Sequence, residues 1–199
     1  MIIRTLKLSN DKEYLVGIFA FFSSNPPPPQ DIIDLISGLS KNNFIIQIFD
    51  ANKIATWEHL FFSVYHAYRA FAVGRNISRT LSTEIAIFAS LQRQISVAFK
   101  KVGIQKKTRN FACIIATEKT DLNDTLKSLV SLKEKILSST NGIENDALLE
   151  VTTEKEKLLK STFSITNDEI SVVEKMSKSV NEIYSKIILN KMALLELEL

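Results

Sequence analysis

Residues Phe44–Gly74, FIIQIFDANKIATWEHLFFSVYHAYRAFAVG, pass from a strand pattern to a helix pattern within ten residues. Phe44–Phe49 is a short, nearly unbroken run of β-branched and aromatic residues, the mark of a buried strand. From about Lys53 to Val73, Ile54, Trp57, Phe61, Val64, Tyr68 and Phe71 recur at spacings of three and four, one stripe along a helix. Asp50 or Asn52 can cap its start, and Gly74 can supply a left-handed stop. Ala67, Ala70 and Ala72 widen the apolar side with small residues, which lets a neighbouring element approach closely. The stripe reads as core rather than as a cofactor-binding face.

Working outward, Met1–Leu8 alternates weakly and ends at Ser9-Asn10-Asp11-Lys12, which predicts a strand and a turn. Tyr14–Phe22 is a second buried strand. Pro26–Pro29 must be extended, because each ring fixes φ and disfavours helix before it. Such a run is either a stiff loop, the commoner case, or a ligand for a proline-reading domain. A helix is predicted over Asp31–Leu39. Downstream, Ser82–Ser90 is ambiguous: Ile85, Ile87 and Phe88 fit a strand, while the alanines permit helix. Gln92–Val102 reads as a helix ended by Gly103, and Phe111–Ala116 as a strand. Helices are predicted over Leu122–Leu137, Thr153–Ser161 and Asn167–Leu189, with a break at Ser138–Gly142. In the last, Asn167 is the candidate cap, and Ile170, Val173, Met176, Val180, Ile183 and Ile187 form its stripe. Met192–Leu199 alternates and predicts a terminal strand. The pattern is α/β or α+β, a small antiparallel or mixed sheet flanked by several helices, with a helical C-terminal half. One domain over residues 1–199 is expected.

Composition agrees with a folded chain: 45% hydrophobic and 24% charged residues exclude a disordered polymer. The single cysteine, Cys113, excludes an internal disulfide and fits a reducing compartment. The first residues lack a secretory pattern, and Tyr14–Phe22 is too short to span a bilayer as a helix, so a cytoplasmic chain is expected. Net charge is only +3, yet residues 65–110 hold nine Lys and Arg against one acid, Glu84. That asymmetry predicts a polyanion-binding face, unless the cations are simply solvated surface positions.

No catalytic constellation emerges. His59 and His66 lie seven residues apart on the long helix, roughly 10 Å along its axis and too far for one metal ion. Each histidine reads as a boundary residue with one hydrogen bond or as a contact for a nucleotide. No two glycines lie close enough for a phosphate loop, and Cys113 sits in an apolar strand pattern where a thiol is inert. Neither a cofactor nor a metal is expected. Gly74-Arg75-Asn76-Ile77-Ser78-Arg79-Thr80 is a polar loop straight after the helix, and Arg93-Gln94 follows the next element. Guanidinium groups match phosphate oxygens, while Asn and Gln pair with base edges, a set suited to an unpaired RNA end.

Glu58-His59-Leu60 with Ala67 and Ala70, then Arg75-Asn76-Ile77, Leu81-Ser82-Thr83-Glu84-Ile85, Arg93-Gln94-Ile95, Ala98-Phe99 and Gly103-Ile104, follow one another in a family's order. So do Phe163–Glu169 and Ile187–Leu195. From about Phe44 onward the chain resembles the kinase-binding small subunit of the KEOPS complex (TPRKB, the PRPK-binding protein), nearest the archaeal type. Pro26–Pro29 and Gln105-Lys106-Lys107 stand outside that pattern. The resemblance implies a non-enzymatic subunit that docks on the small lobe of a PRPK-type atypical kinase beside other KEOPS subunits. It implies recruitment of tRNA by its single-stranded CCA end for threonylcarbamoyl-adenosine modification, in the cytoplasm and, in a eukaryote, the nucleus. It also implies that Glu84–Ser90 is a strand before the Gln92–Val102 helix. By position, Arg75, Asn76, Arg79, Arg93 and Gln94 become the expected tRNA contacts, with His59 and Lys100. Ile187, Leu189, Met192 and Leu195 become the expected kinase contact, although core packing accounts for them equally. The rival functions are a small RNA-acting enzyme working through His59 and a pure protein-interaction scaffold.

Overall fold

The structure is a computed structural model and describes residues 1–8, 12–40 and 43–197. Strands β1 (Ile2–Lys7), β2 (Glu13–Phe22), β3 (Ile45–Asp50) and β4 (Asn110–Glu118) form an antiparallel sheet in the order β1-β2-β4-β3. The two-residue β5 (Ile143–Glu144) pairs with the far end of β2. The helices are α1 (Pro29–Leu39), α2 (Trp57–Ala72), α3 (Leu81–Ser90), α4 (Ile95–Val102), α5 (Leu122–Ser139), α6 (Thr153–Phe163), α7 (Asn167–Glu174) and α8 (Val180–Leu197). The fold is α+β with a helical C-terminal half. Of the turn expected at Ser9–Lys12, all but Lys12 lies outside the described residues.

Helices cover both faces of the sheet. On one face, Ile32 and Ile36 of α1 and Leu129 and Ile136 of α5 pack on Leu15, Phe19, Ile48, Cys113 and Ile115. On the other, α2, α3 and α8 pack with α6 and α7 over Val16, Ile18, Phe49, Ala112 and Ile114. β2 and β4 are therefore buried on both sides, which is why they read as continuous apolar runs instead of alternating. Burying each such Ile, Leu or Phe contributes roughly 1.5–3 kcal/mol.

Four expectations are corrected. Residues 84–90 belong to α3, a helix, not a strand: Thr80 Oγ1 caps it by accepting from the Thr83 N–H at 3.3 Å, and Leu91 ends it at φ 55°. Every residue from Glu84 to Ser90 is buried, so no polar face marks the helical period. The 167–189 helix is two helices. Thr166, not Asn167, caps α7 in a capping box with Glu169. α8 restarts where Ser179 Oγ accepts from the Glu182 N–H at 3.2 Å and the Lys178 N–H donates to Glu182 at 2.8 Å. Met176 and Val180, assigned to one stripe, are exposed at that break. The tail is helical through Leu197, because Met192 and Leu195 are buried three apart and Glu196 is paired to α2. The long helix begins at Trp57; Asp50 instead caps a single 3-10 turn, Ala51–Lys53. Gly74 does supply the left-handed stop, at φ 69°.

Candidate functional site

The loop joining α2 to α3 is built twice over. At its start the Gly74 N–H donates to Phe71 O at 3.3 Å and the Arg75 N–H to Ala70 O at 2.9 Å, a Schellman closure that fixes where Arg75 leaves the helix. At its end stands Glu84, the lone acid of the basic segment, fully buried in the first turns of α3. Its Oε1 accepts from the Ile77 N–H at 3.1 Å, and its Oε2 from the Ser78 N–H at 2.7 Å. Ser78 Oγ lies 2.7 Å from the same Oε2, and Asn76 Nδ2 donates to Ser78 O at 2.9 Å. Arg75 and Arg79 are exposed on this frame.

The nine cations sort by what they already touch. Arg69 pairs with Glu196 at 3.1 Å. Lys101 sits 4.9 Å over the Phe163 ring, half-buried, and burial lowers its pKa. Arg109 donates to the carbonyls of Lys106 and Thr108. Arg75, Arg79, Lys100, Lys106 and Lys107 make no ion pair among the described residues. α4 folds back beside α3, so Phe99 and Gly103 line the same cavity as Ser82 and Thr83 at the start of α3. That return brings Lys100 toward the Arg75–Arg79 end. Arg93 and Gln94, both exposed, stand at the opposite end of this ten-residue helix, about 15 Å away along its axis. The expected RNA contacts thus divide into Arg75, Asn76, Arg79 and Lys100 at one end and Arg93 with Gln94 at the other.

His59 is not at the surface. It is 0% exposed; Nδ1 accepts from the Ala55 N–H at 3.2 Å, which leaves Nε2 to donate to Ala89 O at 2.9 Å. Burial pulls its pKa down to about 4, so the ring is a neutral pin between α2 and the end of α3. Expected as an RNA contact, it has no face to offer one, and the RNA-acting enzyme loses its catalytic candidate. His66 is also buried; Nδ1 donates to Glu196 Oε2 at 2.7 Å, and burial outweighs that carboxylate and lowers its pKa. Cys113 is buried and burial pushes its thiol up, away from reactivity. Among the described residues no three His, Cys, Asp or Glu side chains are grouped to hold a metal ion, and no helix is long and apolar enough to cross a membrane.

The expected kinase contact is corrected too. Met192 and Leu195 are buried in the core against α2, and Leu189 is half-buried beside them. Ile187 alone reaches a groove of about 400 Å³ between α7 and α8, where it forms the floor with Val173. The apolar side chains turned outward are others: Val172 is 58% exposed, Leu194 59% and Leu197 81%. Glu169 and Lys191 pair at 2.7 Å on the rim. This surface went unread because it depends on the break between α7 and α8, which no strong helix breaker announces. Glu84 went unread for a different reason: its value lies in bonds to a loop six and seven residues upstream, not in a motif.

No curated protein matches the chain. The family model of the kinase binding protein CGI-121 matches residues 29–196, so both the basic loop and the α7–α8 groove fall within it, and the chain belongs to that kinase-binding family.

Proposed function

We propose that this chain is the non-enzymatic adaptor of a KEOPS-type complex, docking a PRPK-type atypical kinase and recruiting tRNA by its single-stranded CCA end for threonylcarbamoyl-adenosine modification. The kinase half rests on the family and on the outward apolar side chains Val172 and Leu194 lining a groove, with Leu197 exposed one turn beyond. The RNA half is carried by one observation: Arg75 and Arg79, neither of them in an ion pair among the described residues, stand exposed on a loop whose backbone is fixed by a buried carboxylate. Guanidinium groups held on such a frame meet phosphates at little entropic cost. The two surfaces adjoin. Arg69 binds Glu196, so the last turn of α8 lies one turn from the loop bearing Arg75 and Arg79. An adaptor of that form places a bound RNA end beside a bound kinase, in the cytoplasm and, in a eukaryote, the nucleus.

The test is co-purification with a PRPK-type kinase and labelled tRNA. A ternary complex is expected. The double variant Val172→Asp/Leu194→Asp, altering only exposed side chains, should lose at least tenfold in kinase affinity while keeping tRNA. Unchanged kinase binding in that variant overturns the α7–α8 assignment.

A further inference from the structure

The two outer strands of the sheet are finished differently. β1 presents Arg4, Thr5 and Lys7 as exposed side chains, the usual defence of an open edge. β3 reads IIQIFD, with no charge before its last residue, and its outer edge walls a cavity of about 570 Å³. A strand points alternate N–H and C=O groups to either side, and β3 is paired only with β4. Among the described residues no hydrogen bond reaches its outer edge. Ile33 and Ile36 of α1, with Ile104, line the cavity on one sheet face; Ser82, Thr83 and Phe99 line it on the other.

Gln47 marks this cavity as more than a packing gap. It is 7% exposed, it lines the cavity, and its carboxamide has no hydrogen-bond partner among the described residues. Its amide nitrogen and oxygen are open to the cavity rather than sealed in the core, so a bound group can reach them. A carboxamide offers one acceptor and a donor side by side, the complement of a peptide group.

We propose that this groove docks an extended polypeptide segment of a partner protein, added as a strand along β3 with one of its peptide groups held by Gln47. Its alternate side chains then face the isoleucine wall on one side and the Ser82–Phe99 wall on the other. Charge sets the segment's character. Arg79, Lys100, Lys106 and Lys107 each stand within three residues of a wall residue on α3, α4 or the chain after it, whereas α1 carries Asp31 and Asp34. The segment is therefore apolar toward α1 and acidic toward α3 and α4. Isoleucine walls and a backbone edge favour peptide over RNA.

The probe is a fluorescein-labelled hexapeptide of alternating valine and glutamate, titrated by anisotropy against the full chain. Micromolar binding is expected, at least tenfold weaker when alternate residues of the peptide are N-methylated. Gln47→Leu and Ile33→Glu should each weaken it at least tenfold with tRNA affinity unchanged. Gln47→Leu should not lower the thermal midpoint, since the amide makes no hydrogen bond among the described residues. No binding, equal binding of the methylated peptide, or unaltered affinity in the variants overturns the proposal. So does a CCA-ending oligonucleotide whose affinity falls tenfold in Gln47→Leu. Should Gln47→Leu not fold, Ile33→Glu, at a position 42% exposed, decides.

Discussion

His59 and Glu84 show how much of this molecule depends on single buried polar groups. One holds the last turn of α3 through Ala89 O, the other holds the loop before its first turn. His59 carries a pH prediction. Its folded pKa, about 4, lies below the unfolded value near 6.5, so the unfolded chain binds more protons between those limits. Stability is full above pH 6.5 and is lost as pH falls toward 4, by up to about 3 kcal/mol. His66 is shifted in the same direction and adds to the loss. Urea denaturation from pH 7 to pH 4 checks this: the parent chain should weaken steeply and His59→Gln less so. A parent curve flat across that window contradicts the assignment of a neutral buried ring. The histidine was visible in the sequence, but its depth was not, because neither the Ala55 amide nor the Ala89 carbonyl announces itself as a partner.

At the scale of elements, what could be read depended on whether one face met water. β2, β4, α1 and α2 were legible because their apolar runs or stripes end at clear boundaries such as Gly74. α3 stayed ambiguous from its residues because it is buried on all sides from Glu84 to Ser90, where an apolar run without a polar face has no readable period; the strand implied by the family resemblance was the error. α7 and α8 were fused because the break rests on hydrogen bonds from the Glu182 and Lys178 amides to the Ser179 and Glu182 side chains, inside an otherwise helical pattern. Of the RNA-binding candidates, the loop residues stayed at the surface and His59 did not. The loop itself supplies the prediction at this scale. Glu84→Ala removes the acceptor of the Ile77 and Ser78 amides and should cost about 2–4 kcal/mol. Hydrogen exchange at those two amides should rise far more than at the β2–β4 ladder, and tRNA affinity should fall with Arg75 and Arg79 intact. Unchanged exchange at Ile77 and Ser78 would show that the carboxylate does not organise the loop.

The whole molecule is a sheet whose helical layers converge, at the ends of α2 and α8, on two adjoining surfaces of unlike character. One is apolar and grooved, the other cationic and framed by backbone closure. On the proposed function, the cationic surface takes an unpaired RNA end. This is tested most directly by titrating tRNA, whole and with its CCA end trimmed, across a salt series against the parent chain and Arg75→Glu/Arg79→Glu. Expected are affinity falling steeply with salt, at least tenfold loss on trimming, and a similar loss in the folded double variant with a salt slope shallower by about 1–2. Equal affinity for trimmed and whole tRNA, together with an unaltered slope in the variant, would contradict it.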